Sequence, residues 1–191
     1  MKFYESGDNR KPVIFLFPGT CCLYSSFDHV LDGLHSYFYT VTVSYDGFDP
    51  NEKTEFYSME DECEKIEQEI RKKYGGRIYL VAKIQSSMVV PFMYKMVHTG
   101  TLPKFMQKKL DKTDGGKKEL YNGFLNMFGI GKGGSPWITK QSIYNQFYSD
   151  LVTKVQHGID VPGTTIHVFY ATKMGEKYEK RYCTYFKNPD I

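Results

Sequence analysis

The sequence lacks any run of the roughly 18 consecutive apolar residues that a membrane-spanning helix needs. Excess charge is also scarce, because 25 lysine and arginine residues against 22 aspartate and glutamate residues leave a formal net charge of +3. Nucleic-acid-binding proteins usually carry a concentrated basic stripe. The nearest candidate, Lys104–Lys118, is diluted by Asp111 and Asp114 and is interpreted as a solvated face. We therefore expect no membrane span and no nucleic-acid partner.

Cysteine is scarce as well, with four residues: Cys21, Cys22, Cys63 and Cys183. They form no Cys-x-x-Cys pair, and no cluster of His, Cys and Asp has the spacing of metal ligands. The N-terminal residues do not have the pattern of a signal peptide. Reduced thiols in the cytoplasm are therefore expected, with neither a metal nor another cofactor.

Aromatic side chains, by contrast, are plentiful, with 16 tyrosines and 14 phenylalanines among 191 residues. This composition predicts a folded protein with a substantial core. Thick aromatic packing is the favoured explanation, and a cleft for an apolar ligand is the alternative.

The chain is organised around an apolar run, Val13–Phe17, that stops at Pro18-Gly19-Thr20. Such a run bounded by Pro and Gly predicts a strand buried on both faces. A short helix capped by Ser25 or Ser26 is predicted to follow. Its apolar face would contain Phe27, Val30, Leu31 and Leu34.

The tight turn between this strand and this helix is a candidate binding site. Ligands bind at the carboxyl edge of parallel sheets. The backbone N–H groups of Gly19, Thr20 and Cys21 would be free there to hold an anion or a developing oxyanion. Cys21 or Cys22 could also serve as a nucleophile, but small buried thiols are the favoured interpretation.

Further elements alternate along the chain, which predicts an α/β fold with a mainly parallel sheet. Residues 1–10 are expected to be a lead-in. Strands are predicted over 39–45, 77–82 and 164–171, and helices over 58–74, 137–155 and 175–186. Ser58 is predicted to cap the second helix, and Ser135-Pro136 to start the third.

This order of elements resembles the α/β-hydrolase fold. VIFLFPGT resembles its strand and oxyanion loop, YTVTVSYDGFD the next strand and turn, and SMEDECEKIEQEIRKKYGGRIYLV the helix and strand that lead to its nucleophile elbow. The chain is similar to α/β-hydrolase-like proteins of anaerobic gut bacteria. The resemblance implies one domain over residues 1–191, with residues 101–155 as a helical cap insertion.

The resemblance also implies serine-nucleophile hydrolysis of an ester or related acyl substrate. The G-x-S-x-G elbow of the family is absent from this sequence, which has Val81-Ala82-Lys83-Ile84-Gln85-Ser86-Ser87-Met88 at that place. Ser86 or Ser87 would be the nucleophile if the register slips, and Glu176 the catalytic acid. No histidine follows the acid in this sequence, and His167 is predicted to be a packed residue of the last strand.

Three further interpretations remain open. Relative to the family, Lys83–Gly100 is too short to hold an elbow, a helix and a further strand before the cap, which predicts that a segment is missing between about Val81 and Lys83. Gly129–Gly134 is interpreted as a hinge, because Lys132 lacks the following Ser or Thr of a phosphate-binding loop. The alternative to a hydrolase is a non-catalytic protein that binds a small apolar ligand or a partner.

Overall fold

The computed structural model describes residues 1–74, 78–82, 137–154, 156–168 and 176–191. Its strands and helices are, in chain order, β1 (Lys2–Ser6), β2 (Val13–Phe17), α1 (Asp28–His35), β3 (Tyr39–Ser44), α2 (Met59–Lys73), β4 (Ile78–Ala82), α3 (Lys140–Val152) and α4 (Glu176–Tyr185). The chain divides into two compact units, Met1–Val152 and Thr153–Ile191. The first unit therefore holds the whole described sheet.

Within the described ranges, the sheet has four strands in the order β1-β3-β2-β4. Strand β2 pairs in parallel with β3 on one side and with β4 on the other, whereas β1 pairs antiparallel with β3. The predictions of a mainly parallel sheet and of a central Val13–Phe17 strand are thus confirmed. The predicted lead-in is wrong, because Lys2–Ser6 forms an edge strand whose short, largely polar sequence hides its alternation.

Strand β2 is covered on both faces. Ile14 and Leu16 pack on one side against Phe27 and partly buried side chains of α1. Phe15 points the other way and joins a cluster with two valines of β3, which Ile66 and Ile70 of α2 cover. The continuous apolar run follows from this placement, since a strand between two helical layers has no solvent-facing side.

Helix α2 has the end chemistry that its sequence predicts. The hydroxyl of Ser58 accepts a hydrogen bond from the N–H of Asp61 at 3.1 Å. Three acidic residues occupy the first turn and three basic residues the last, which complements the helix dipole. The predicted helix and its cap are therefore confirmed.

The start of α1 differs from the prediction. A 3-10 turn over Tyr24–Phe27 precedes the helix, and neither Ser25 nor Ser26 is the cap. Phe27 occupies the cap position without a side-chain hydrogen bond, because its ring is buried against β2 instead. Val30, predicted on the apolar face, is 37% exposed.

The later elements are corrected in two places. Helix α3 begins at Lys140, where the hydroxyl of Thr139 accepts the N–H of Ser142 at 3.0 Å, rather than at residue 137. The predicted strand 164–171 is wrong over 164–168, where an isolated bridge joins His167 to Asp190. The last predicted helix is confirmed as α4.

The loop after β3 is buried and makes a close approach to α3. Gly47 has a φ of +78°, and its N–H donates to the hydroxyl of Thr54 at 3.0 Å. A Cβ atom at Gly47 would lie 2.3 Å from Oγ of Ser142 and 2.8 Å from the backbone nitrogen of Phe56. Only glycine fits this position, since both the dihedral angle and the space exclude a side chain.

Replacing Gly47 with alanine should therefore lower the free energy of unfolding by about 2–5 kcal/mol, from backbone strain and overpacking together. Gly33→Ala is the matched control, because Gly33 is exposed in α1 and a Cβ there meets no atom within 4 Å. The control should stabilise the protein by about 0.5–1 kcal/mol. Urea unfolding measures both changes, and equal effects of the two substitutions would contradict the packing described for Gly47.

Candidate functional site

The turn after β2 lies at the carboxyl edge of the sheet. Phe17, the last residue of β2, pairs with Ala82 at the same edge of β4. The N–H of Cys22 donates to the carbonyl of Gly19 at 2.9 Å and closes the turn. Cys21 has a φ of +56°, a left-handed conformation that costs a side-chain-bearing residue about 1–2 kcal/mol. The predicted strand–turn–helix arrangement is present.

An apolar cluster borders this edge. Its buried members are Phe48, Phe56, Ile138, Ile143 and Phe147. Cys21 and Tyr45, which follow the ends of β2 and β3, are partly buried against it. The cluster therefore joins the ends of two sheet strands to α3.

Helix α3 adds a polar face that the sequence analysis missed. Oγ of Ser142 accepts the N–H of Phe56 at 3.1 Å, and Nδ2 of Asn145 donates to the carbonyl of Phe56 at 2.8 Å. Oγ of Ser149 accepts the N–H of Met59 at 3.3 Å. These polar side chains recur at helical spacing along one face. That spacing is the sequence signal from which the polar face could have been predicted.

Two further side chains on this face reach the turn after β2. Oε1 of Gln146 accepts the N–H of Cys21 at 2.7 Å. One helical turn later, Oδ2 of Asp150 accepts the hydroxyl of Thr20, also at 2.7 Å. The N–H of Cys21, expected from the sequence to be free, is thus engaged by a side chain of the same protein.

The environment of the turn disfavours ionisation. Burial, followed by the charges of Asp150 and Cys22, raises the pKa of the Cys21 thiol well above its ordinary value. Burial also raises the pKa of Asp150, although the hydroxyl of Thr20 acts in the opposite direction. A protonated Cys21 is a poor nucleophile, which favours the interpretation of Cys21 as a buried thiol.

The other predicted site residues are distributed as follows. Ser86, Ser87 and the proposed gap near Val81–Lys83 fall on or next to residues outside the described part of the chain. Glu176 is the exposed first residue of α4, in the second unit. The structure therefore does not report whether the predicted nucleophile and acid meet.

His167 is not the packed residue that the sequence predicted. Its side chain is 54% exposed, and Nδ1 lies 2.7 Å from Oδ2 of Asp190. The predicted strand would have buried this side chain in a sheet, whereas an isolated bridge leaves it on the surface.

Within the described residues, Asp46, Asp61 and Glu62 form the one group whose spacing could hold a metal ion. Two cations of the chain already contact them. Nζ of Lys65 lies 2.5 Å from Oδ2 of Asp46 and 3.4 Å from Oε1 of Glu62, and it also contacts Asp61. The N-terminal ammonium contacts Asp46 as well. This donor set therefore serves as an internal ion-pair network.

Glu62 is the buried member of the network. Its side chain is 0% exposed, and its Oε2 accepts the N–H of Asp46 at 3.1 Å. Burial raises the pKa of Glu62 from 4.5 to about 7. Burial alone would raise the pKa of Asp46, but hydrogen bonds and charges from Lys65 and the N-terminus bring that pKa below its ordinary value.

Because folded Glu62 holds its proton more tightly than unfolded Glu62, it lowers stability as pH rises from about 4.5 to about 7. The loss should be at most about 3 kcal/mol. Glu62→Gln keeps an oxygen for the N–H of Asp46 and removes the titration. Urea unfolding from pH 4.5 to 8 should show the variant gaining on the wild type as pH rises. Parallel stability curves for the two proteins would contradict this assignment.

Neither protein-family models nor curated protein sequences match the chain. Its fold is similar to that of a marine microorganism esterase, at 12% identity and a TM-score of 0.57, over 99% of this chain and 88% of that chain. The enol-lactonase from Burkholderia xenovorans LB400 matches at 11% identity and a TM-score of 0.48, over 79% of this chain and 69% of that chain. A protein from Desulfitobacterium hafniense assigned to the alpha/beta hydrolase family matches at 9% identity and a TM-score of 0.45, over 78% of this chain and 71% of that chain.

At such low sequence identity, a structural match informs only about the fold. The chemical function must be argued from the residues of the candidate site. Within the described residues, no helix is long and apolar enough to cross a membrane. The mainly parallel sheet and the tight turn from its central strand into a helix agree with the similarity to the marine microorganism esterase. The chain therefore has the α/β-hydrolase fold.

Proposed function

We propose that the chain binds an ester or another acyl compound at the turn after β2, and that its site for the family reaction, serine-nucleophile hydrolysis, is catalytically incomplete. The carbonyl oxygen of the ligand would accept the N–H of Cys21. The ligand class is a small acyl compound, and the acyl chain would face the neighbouring aromatic cluster.

One observation carries this proposal. The N–H of Cys21 holds the amide oxygen of Gln146 at 2.7 Å, so the donor is already directed at a carbonyl-type oxygen. Oxyanion-stabilising donors in acyl-transfer enzymes lie 2.7–3.1 Å from the oxygen they bind. The position of the turn, at the carboxyl end of a central strand, is where such donors occur in this fold.

The incompleteness follows from the sequence. Hydrolysis in this fold needs an elbow serine and a histidine base held by an acid. The 191 residues contain no G-x-S-x-G, and Ser86 and Ser87 are the substitutes nearest to the elbow position. Glu176 would be the acid. Without an elbow serine, any catalysis due to binding and oxyanion stabilisation should be too weak to raise ester turnover above the background rate.

The experiment combines a kinetic and a binding measurement. Phenyl butyrate should be hydrolysed no faster than in buffer, and Ser86→Ala and Ser87→Ala should leave that rate unchanged. N-phenylbutyramide, its amide analogue, should shift the NMR resonance of the Cys21 amide in a saturable way. The amide of Gly33, exposed in α1, is the internal control and should not respond.

Two results would contradict the proposal. Steady ester turnover that disappears in either serine variant would replace the incomplete site with active serine catalysis. A Cys21 resonance that does not respond to N-phenylbutyramide would remove the acyl site and favour the alternative, a non-catalytic protein that binds an apolar ligand or a partner in the crevice or on the cap.

A further inference from the structure

Helix α3 contacts the turn after β2 through two side chains on successive helical turns. Gln146 accepts the N–H of Cys21, and Asp150 accepts the hydroxyl of Thr20. Adjacent residues of the turn are thus held by side chains four residues apart on one helix face. This match fixes the position of Gln146 relative to the turn.

Gln146 is unusual for its position. The residue is buried, with 1% exposure, although glutamine is mostly found at the protein surface. The bonded atom is a carboxamide oxygen, which has the same acceptor chemistry as the carbonyl oxygen of an ester or amide ligand. The distance of 2.7 Å lies at the short end of the usual range for an N–H···O bond.

We propose that Gln146 occupies the carbonyl-binding position of the site, and that an acyl ligand binds by displacing its amide. This inference rests on the proposed function, since it takes the N–H of Cys21 to be the ligand's donor. It adds a regulatory residue to that function: the affinity for acyl compounds is limited by competition with the protein's own side chain.

The displacement needs no movement of the whole helix. Asp150 still holds Thr20 when the Gln146 amide rotates away, and Ile143 and Phe147 keep α3 packed on the aromatic cluster. The proposed displacement therefore requires a change of side-chain rotamer at Gln146 with α3 held in place, after which the ligand's carbonyl oxygen would accept the hydrogen bond.

A purely structural role for Gln146 predicts a different outcome. If the amide only satisfies a buried N–H, its removal destabilises the protein and leaves ligand binding unchanged or weaker. If the amide competes with a ligand, its removal destabilises the protein and strengthens binding. Ligand affinity therefore separates the two roles, whereas stability alone does not.

The experiment uses the full chain and N-phenylbutyramide as the probe. Gln146→Met is nearly isosteric and lacks the acceptor, and Gln141→Met makes the same substitution on the exposed face of α3. The dissociation constant, read from amide resonances, should fall about tenfold in Gln146→Met, the usual worth of one hydrogen bond. It should be unchanged in Gln141→Met. Without ligand, the Cys21 amide proton should move upfield in Gln146→Met only.

The outcomes are distinguishable. Equal affinity of the wild type and Gln146→Met overturns the competition and leaves the proposed function intact. Binding to neither protein overturns both. If Gln146→Met does not fold, Gln146→Asn gives the same comparison, because it keeps a polar amide that is one methylene too short to reach Cys21.

Discussion

The first unit depends on the parallel pairing of β2 with a strand on each side. Because both edges of β2 are hydrogen-bonded and both faces are covered, its three middle residues are buried. At the carboxyl end of β2, Pro18-Gly19 directs the chain into a turn. The sheet thus positions the candidate site, and the backbone N–H groups of that turn are its proposed donors.

Much of this unit could be predicted from the sequence because its signals are local. Three elements depend on neighbouring residues. They are the apolar run bounded by Pro and Gly, the β-branched run over Tyr39–Ser44, and the capped helix whose terminal charges complement its dipole. The edge strand β1 could not be predicted in this way. Its stability comes from pairing with β3, some 40 residues away, and from packing of Phe3 rather than from its own pattern.

The candidate site was predictable in its location and not in its contacts. The turn at Gly19–Cys21 was expected from the sequence, but its partner lies more than 120 residues further along the chain. A helix was predicted here, but apolar periodicity does not reveal the buried face of α3, since that face mixes Ile143 and Phe147 with serine, asparagine and glutamine. Those polar residues are buried because they satisfy backbone groups of loops that have no secondary-structure partner.

The hydrogen bond between Glu62 and the N–H of Asp46 has a consequence for how α2 sits on the sheet. Apolar contacts of Ile66 and Ile70 are non-directional, so they would tolerate a helix that turned or slid along its axis. A buried carboxylate that meets one backbone N–H at the end of β3 permits a single rotational setting, which Lys65 reinforces from the next turn. The apolar residues thus hold α2 against the sheet, and the hydrogen bond of Glu62 sets its rotation.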